Sequence, residues 1–576
     1  MDTPTSSHDT ETVQDGDPSN ASGHRITVEL DVPAIMRDGV ILRANVYRPA
    51  GDGPWPTLLA RLPYGKDQMG IVSKLDPVQA ARRGFMVAIQ DTRGRFMSDG
   101  EWDPFRFERE DGYDSVEWAA KLPGSNGRIG MYGESYFGNT QWMAAIEQPP
   151  SLAAISPALT WADPMDGLFA RGGAVELGLA ISWTLLHSLD YVRKLEIPAA
   201  ERKRRAEGLL NDYDSLTEQG YYDLPVDKCD VLRRHDVPDL GSIRALADPS
   251  IAERCLVAGS YERVTVPTFH IAGWHDIFLQ GTLDNYGAMA GLNREARLIV
   301  GPWSHLDFGD LVGDHLFGLR ASRFGVPSHP HGDVGDLQLN WLRRHLTPDP
   351  KIAPPEKPVR IFVMGRNVWR DEDAWPLSRA NMQRWFLRGD GSLTEETPNA
   401  NEEVTEFLYD PADPVPTVGG QTVMSSAFPA GPMDQTRVEA RSDVCLFTSE
   451  PLQRELEVTG RVRVFLSAQS SAPSTDWVAR LCDVHPNGCS FNLCDGIVRV
   501  VQDADGLSRH EIDLWSTSNV FLPGHRLRVA VTSSSFPRWD RNLNTAQQDS
   551  SRYEIARQRV FHRSDRPSYI ELPIVN

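Results

Sequence analysis

The run Arg128-Ile129-Gly130-Met131-Tyr132-Gly133-Glu134-Ser135-Tyr136-Phe137-Gly138 constrains this chain more than any other. Apolar strand-like text leads into a glycine-flanked turn, and the text from Asn139 to Ile146 that follows is helical. A serine at the apex of a strand–turn–helix is pushed out over the sheet edge, and the first N–H groups of the helix stay free for an oxyanion. The pattern is G-x-S-x-x-G, with Phe137 where the commoner elbow has glycine. A G-x-S turn also arises by chance, its serine merely capping a helix. The turn therefore means chemistry only if an acid and a base follow.

Both follow in order. Asp276 lies in Gly273-Trp274-His275-Asp276, just past the apolar run Thr268 to Ile271. His305 lies in Gly301-Pro302-Trp303-Ser304-His305, just past Ala296 to Val300, and Gly301-Pro302 is expected to end that strand and place the histidine on a loop above the sheet. Serine, acid and histidine in this chain order, each past an apolar strand, is the α/β-hydrolase arrangement. Competing bases are His270, His275 and the pair His329/His331. His275 adjoins Asp276, and sequence neighbours seldom face each other; His329 and His331 read as a solvated loop. Asp307 and Asp310 flank His305 and compete as the acid, but Asp276 follows a strand of its own. Tyr64, at the end of the run Trp55 to Leu62, sits where a loop could supply a second oxyanion donor; on the residues alone it reads rather as a packing tyrosine.

The chain has 576 residues, too many for one core, so several domains are expected. A net charge of −20 disfavours nucleic acid and anionic membrane surfaces as partners. The six cysteines show no C-x-x-C spacing, so neither a zinc site nor a disulfide framework is expected, and no metal or cofactor is called for. No apolar run is long enough to span a membrane. Residues 1–24 read as a disordered lead-in without signal-peptide features, which makes a cytoplasmic enzyme the default.

Strands and helices alternate through residues 25–160 and again through 261–350, the mark of a mostly parallel sheet covered on both faces. Ile26 to Val32 and Val40 to Tyr47 read as a hairpin turning at Arg37-Asp38-Gly39. Residues 161–260 are amphipathic and helical, clearest over Ala174 to Leu195 and Ala199 to Leu210, and read as a cap inserted above the nucleophile. A Pro-rich linker, Thr347 to Pro355, is followed over residues 356–576 by strand-like text, including Val359 to Val363 and Gln383 to Leu387, that reads as an antiparallel sandwich.

Several further motifs act jointly. Asp91-Thr92-Arg93-Gly94-Arg95 with Ser98-Asp99-Gly100, the serine elbow, Gly-Pro-Trp-Ser-His, and Phe362-Val363-Met364-Gly365 with Trp369-Arg370 and Trp375-Pro376 stand in order along the chain. So do Asp476-Trp477-Val478-Ala479-Arg480-Leu481 and Ser533-Ser534-Ser535-Phe536-Pro537. Together they resemble the cocaine esterase/X-prolyl dipeptidyl-peptidase family of α/β-hydrolases, from about Ile26 to the C-terminus. The resemblance implies an α/β-hydrolase domain with a helical cap and a C-terminal all-β jelly roll that closes one side of the cleft. It implies Ser135 as nucleophile, Asp276 as orienting acid and His305 as base. It implies that the Tyr64 hydroxyl and the Tyr136 backbone N–H hold the oxyanion, and that Phe278 and Trp183 line the acyl pocket. The expected partner is a small-molecule ester or amide, with X-prolyl peptides, α-amino esters and acylase substrates as alternatives on the same scaffold. A non-catalytic carbohydrate-binding role for the jelly roll is a further alternative that an intact triad opposes. A homodimer is compatible with all of these readings.

Overall fold

Ten strands carry the N-terminal half of the chain and its continuation past the linker. The computed structural model describes residues 24–68, 70, 73–325, 333–347, 356–501, 507–546 and 551–576. The expectations for the lead-in up to residue 23, for most of the Pro-rich linker, and for His329 and His331 lie outside these residues. The strands are β1 (Ile26–Ile35), β2 (Ile41–Pro49), β3 (Trp55–Leu62), β4 (Met86–Asp91), β5 (Ser125–Glu134), β6 (Leu152–Ala158), β7 (Thr268–His275), β8 (Ala296–Ser304), β9 (Val359–Val363) and β10 (Val368–Glu372). Their spatial order is β1-β2-β4-β3-β5-β6-β7-β8-β9-β10. All neighbours from β4 to β9 run parallel, whereas β1/β2, β2/β4 and β9/β10 are antiparallel.

The inner strands are continuously apolar because both faces are covered: every residue of β4 and of β7 is buried. Helices α1 (Pro77–Arg82) and α7 (Val334–Leu346) cover one face, with Ala80, Leu339 and Leu342 packed against Leu58 and Ile271. Helices α2 (Glu108–Ala120) and α3 (Tyr136–Ile146) cover the other, with Val116 and Trp142 against Leu59 and Met131. The cap enters between β6 and β7. Its main helices are α4 (Leu177–Lys194) and α5 (Ala199–Asp214), and α6 (Leu279–Gly291) follows β7.

The C-terminal part is a sandwich. A seven-stranded sheet is built around the long strand Leu456–Ser470, and a four-stranded sheet holds Cys445–Thr448, Arg526–Thr532, Ser474–Val484 and Ser490–Val501. Alternating residues of the two sheets, among them Val462, Val464, Leu481 and Val529, fill one core.

Two local expectations fail. Val359–Val363 is not a sandwich strand: it lies parallel to β8, with Leu298 opposite Val359 and Val300 opposite Ile361. An apolar run records burial but not which sheet buries it, and the helix α7 between β8 and β9 supplies the crossover that a parallel pair needs. Nor does Gly301-Pro302 end β8. The strand runs to Ser304 through an irregularity between Gly301 and Ser304, and His305 follows directly from the strand end.

Buried charge joins the layers. Arg171, in the short hairpin that opens the cap, donates to the carbonyls of Asp495 (2.7 Å) and Asp513 (2.9 Å), and its guanidinium lies 3.6 Å from the ring centre of Trp515. Arg538 of the sandwich pairs with Asp495 at 2.7 Å, and Trp539 donates to Glu176 of the cap at 2.8 Å. The Asp495 carboxyl is held below the usual carboxylate range: burial opposes ionisation, but Arg538, Arg480 and Arg171 together outweigh it. Asp495→Ala would remove the nearer carboxylate of the fully buried Arg538, whose other partner, Glu176, stands 3.6 Å away. The expected loss is about 3–5 kcal/mol, read as a lower urea midpoint, while Asp495→Asn loses less because its amide oxygen still accepts.

Candidate active site

The turn between β5 and α3 is strained in a way that suits its position. Ser135 has φ 57° and ψ −126°, a region non-glycine residues rarely occupy. Its N–H donates to the carbonyls of Ala158 (3.0 Å) and Leu159 (3.1 Å), and its carbonyl accepts from the Thr160 hydroxyl (2.9 Å). The end of β6 thus grips the turn from the side. A Cβ at Gly133 would lie 2.0 Å from Phe137 Cδ2, and one at Gly138 would lie 2.8 Å from Thr160 Cβ, so both flanking glycines are sterically required.

His305 lines the same cleft, just past the end of β8. Its Nδ1 is 2.6 Å from Asp276 Oδ1, and the other carboxylate oxygen accepts from the Phe278 N–H at 3.0 Å. Asp276 is fully buried, and the edge of the Phe278 ring lies against His305 with centroids 5.2 Å apart. The rival bases are elsewhere. His270 is buried and bonded to the Thr268 hydroxyl at 2.9 Å. His275 is fully buried and faces a different cavity, and burial pushes its imidazole down to about 3. Asp307 accepts from the Ser304 hydroxyl at 3.1 Å, and the Asp310 carbonyl accepts from the Phe317 N–H at 2.7 Å; neither is paired with His305.

A cleft of about 510 Å³ opens over the turn. Ser135, His305, Tyr64, Tyr136, Phe278 and Trp183 all line it, with Asp276 behind the histidine. Burial raises the Tyr64 hydroxyl to about 12, so it keeps its proton at any ordinary pH, and it lines the same cleft as Ser135. Trp183 donates its ring N–H to the Tyr64 oxygen at 3.3 Å. Because indole can only donate, the tyrosine proton is directed elsewhere. Tyr136 has its own hydroxyl buried, donating to Glu108 (3.0 Å) and accepting from the Phe105 N–H (2.9 Å). That anchors its ring, and its backbone N–H, in the first turn of α3, has no acceptor within the helix.

Sequence reasoning passed over His187. Its ring lies 4.8 Å from both Tyr64 and Trp183, and burial, then Arg95, lowers its imidazole to about 3, so it is neutral. The signal was available: His187 follows Trp183 by four residues on one helix face. The sandwich also reaches the cleft, where Val423, Met424 and Phe428 form one wall. The charged lining is sparse. Glu134 is neutralised by ion pairs with Lys74 and with Arg323 (3.2 Å).

A ten-stranded α/β sheet with a serine elbow, a helical cap and a C-terminal sandwich is the architecture of an α/β-hydrolase. Residues 38–307 match the X-Pro dipeptidyl-peptidase (S15) family, and residues 353–571 match the X-Pro dipeptidyl-peptidase C-terminal non-catalytic domain. Cocaine esterase from Rhodococcus sp. (strain MB1 Bresler) is 33% identical over 95% of this chain and 99% of its own. An aminopeptidase from a marine sediment thaumarchaeote superposes with a TM-score of 0.78 at 24% identity, covering 98% of this chain and 99% of that one. An α-amino acid ester hydrolase superposes with a TM-score of 0.75 at 24% identity, covering 97% and 98%. The chain belongs to the S15 X-Pro dipeptidyl-peptidase family, with cocaine esterase among its relatives. It is a serine ester hydrolase by that kinship. Among the described residues no helix is long and apolar enough to cross a membrane.

Gly133→Ala tests the turn itself. The variant should keep its secondary structure, whereas labelling of Ser135 by a fluorophosphonate should slow by more than about tenfold, as expected for about 1–3 kcal/mol of misplaced backbone.

Proposed function

We propose that the protein hydrolyses carboxylic esters with an apolar or aromatic acyl group, through Ser135, His305 and Asp276. His305 takes the Ser135 proton as the serine oxygen attacks the ester carbonyl. Asp276 orients the imidazole and stabilises its charged form. The negative charge that develops on the carbonyl oxygen is held by the Tyr64 hydroxyl and the Tyr136 N–H. The alcohol leaves with the proton from His305, and water, activated by the same histidine, releases the acid from Ser135. Phe278 and Trp183 contact the acyl group.

One observation carries the preference for an uncharged acyl group. The cleft walls are mostly aromatic and aliphatic, and Glu134, the carboxylate next to the nucleophile, is already paired with Lys74 and Arg323. A substrate ammonium would have to break those pairs. Asp307, exposed on the cleft rim, favours the α-amino acyl reading as the second choice. All six cysteines are free and five are buried, which supports a reducing compartment, the cytoplasm. The expected partner is a small ester, not nucleic acid or membrane.

The reading is tested with p-nitrophenyl esters of graded acyl size beside aminoacyl-proline anilides. Turnover of the benzoyl and short acyl esters at least about 100-fold above the anilides is expected; the reverse order would overturn it. Ser135→Ala should lose about 10⁶ in kcat. Tyr64→Phe deletes one oxygen and should cost about 10²–10³ in kcat with little change in KM. A rate within a few fold of the parent would return Tyr64 to a packing role.

A further inference from the structure

His275 and Asp276 are neighbours that face opposite ways. Asp276 turns toward His305, and His275 turns into a separate cavity of about 270 Å³ between the hydrolase sheet and the sandwich. That second cavity is lined by four histidines far apart in the sequence: His275, His315, His485 and His525. Asp483 is the last residue but one of the strand Ser474–Val484, His485 follows two residues on, and His525 immediately precedes the strand Arg526–Thr532 that pairs beside it. One ligand atom from each of Asp483, His485 and His525 falls within 4.8 Å of the others.

We propose that Asp483, His485 and His525 form a binding site for a divalent transition-metal ion of the zinc class, with His315 as the fourth ligand from the hydrolase side. The donor set suits such an ion: two imidazoles and one carboxylate hold zinc at about 2.0–2.2 Å, and hard cations that want only oxygen are disfavoured. His525 Nδ1 stands 2.8 Å from Asp483 Oδ1, and His485 Nε2 stands 4.0 Å from Asp483 Oδ2. A tetrahedron with such bonds has edges of about 3.3 Å, so Asp483 must turn to offer one oxygen to both imidazoles. The His485 and His525 rings are 4.4 Å apart, and the His315 ring stands perpendicular to His485 with centroids 6.3 Å apart. Asn519 donates to Asp483 Oδ2 at 3.4 Å, the kind of outer contact that orients a carboxylate ligand.

A second, independent observation points to the same place. His275 is fully buried, lines this cavity, and neither of its ring nitrogens has a hydrogen-bond partner. A buried imidazole without a partner is costly unless something polar in the cavity satisfies it. A water held by the ion as a fifth ligand, beyond the four from the protein, would do so. The serine chemistry does not draw on this site, whose ligands lie outside the catalytic cleft.

The test is isothermal titration of the chelator-treated full-length protein with Zn²⁺, and separately with Mg²⁺, alongside thermal unfolding. One equivalent of Zn²⁺ should bind with micromolar or tighter affinity and raise Tm, and Mg²⁺ should not bind at millimolar concentration. His485→Ala and His525→Gln should each weaken Zn²⁺ by more than the about 10–100-fold typical of outer contacts, and His315→Ala should weaken it by about tenfold. His485 is partly exposed, so His485→Ala should fold, and its circular dichroism should match the parent. Ser135→Ala should bind Zn²⁺ within about twofold of the parent. Binding below about 0.2 equivalents per chain, affinity unchanged in both histidine variants, or loss of binding in Ser135→Ala would each overturn the proposal.

Discussion

The site depends on one backbone conformation that Ser135 does not adopt by itself. A residue at φ 57° and ψ −126° stores about 1–3 kcal/mol, which neighbouring structure must hold in place. Here the restraint comes from β6 and the residue after it: carbonyls of Ala158 and Leu159 take the Ser135 N–H, and the Thr160 hydroxyl takes hold of its carbonyl. Two strands must therefore lie side by side and parallel before the serine can point outward. Gly133 and Gly138 follow as consequences, because Phe137 and Thr160 occupy the space where their side chains would go. The same strand ends then present Asp276 and His305 from β7 and β8, in line with the rule that open α/β sheets place their sites at the carboxyl ends of strands.

The cleft above that edge is made by parts of the chain that do not touch in sequence. The cap lends Trp183 and His187, and the sandwich lends Met424 and Phe428. What keeps them in register is buried charge at their junction. Arg171, Arg538, Asp495 and Glu176 lie out of water between cap and sandwich, paired with one another and with backbone carbonyls. Such pairs add little net stability over apolar contacts, but a misaligned partner is strongly penalised. The arrangement therefore specifies how the domains sit more than how firmly they hold. Met424 fits tightly enough that a Cβ at Gly178 would lie 2.0 Å from its sulfur, so the cap helix accepts the sandwich only where glycine makes room.

The elbow, the strand ends that carry Asp276 and His305, and the amphipathic cap were legible because each is a local pattern with a physical cause: a glycine turn, an apolar run, a helical stripe. Tyr64 was not legible from the residues alone. Its ring reads as packing, and only the tertiary structure brings it to the cleft with the Trp183 N–H on its oxygen. His187 shares a helix face with Trp183, a signal the sequence carries, but only the structure sets its ring against Tyr64. Val359–Val363 was placed in the wrong sheet because burial on both faces erases the alternation that distinguishes one sheet from another.

By itself the sequence determined that this is an α/β-hydrolase with a serine elbow, an inserted helical cap and a β-rich C-terminal part, because those features are set by residue spacing within a few turns or strands. Only the tertiary structure decided which histidine meets Asp276, which wall the sandwich lends to the cleft, and that β9 belongs to the hydrolase sheet. It also gathered His275, His315, His485 and His525 around one cavity. Those outcomes rest on contacts between residues tens to hundreds of positions apart, and no local periodicity records them. His275 and Asp276 show the division most directly: adjacent in the chain at the end of one buried strand, one faces a separate cavity and the other holds His305 behind the cleft.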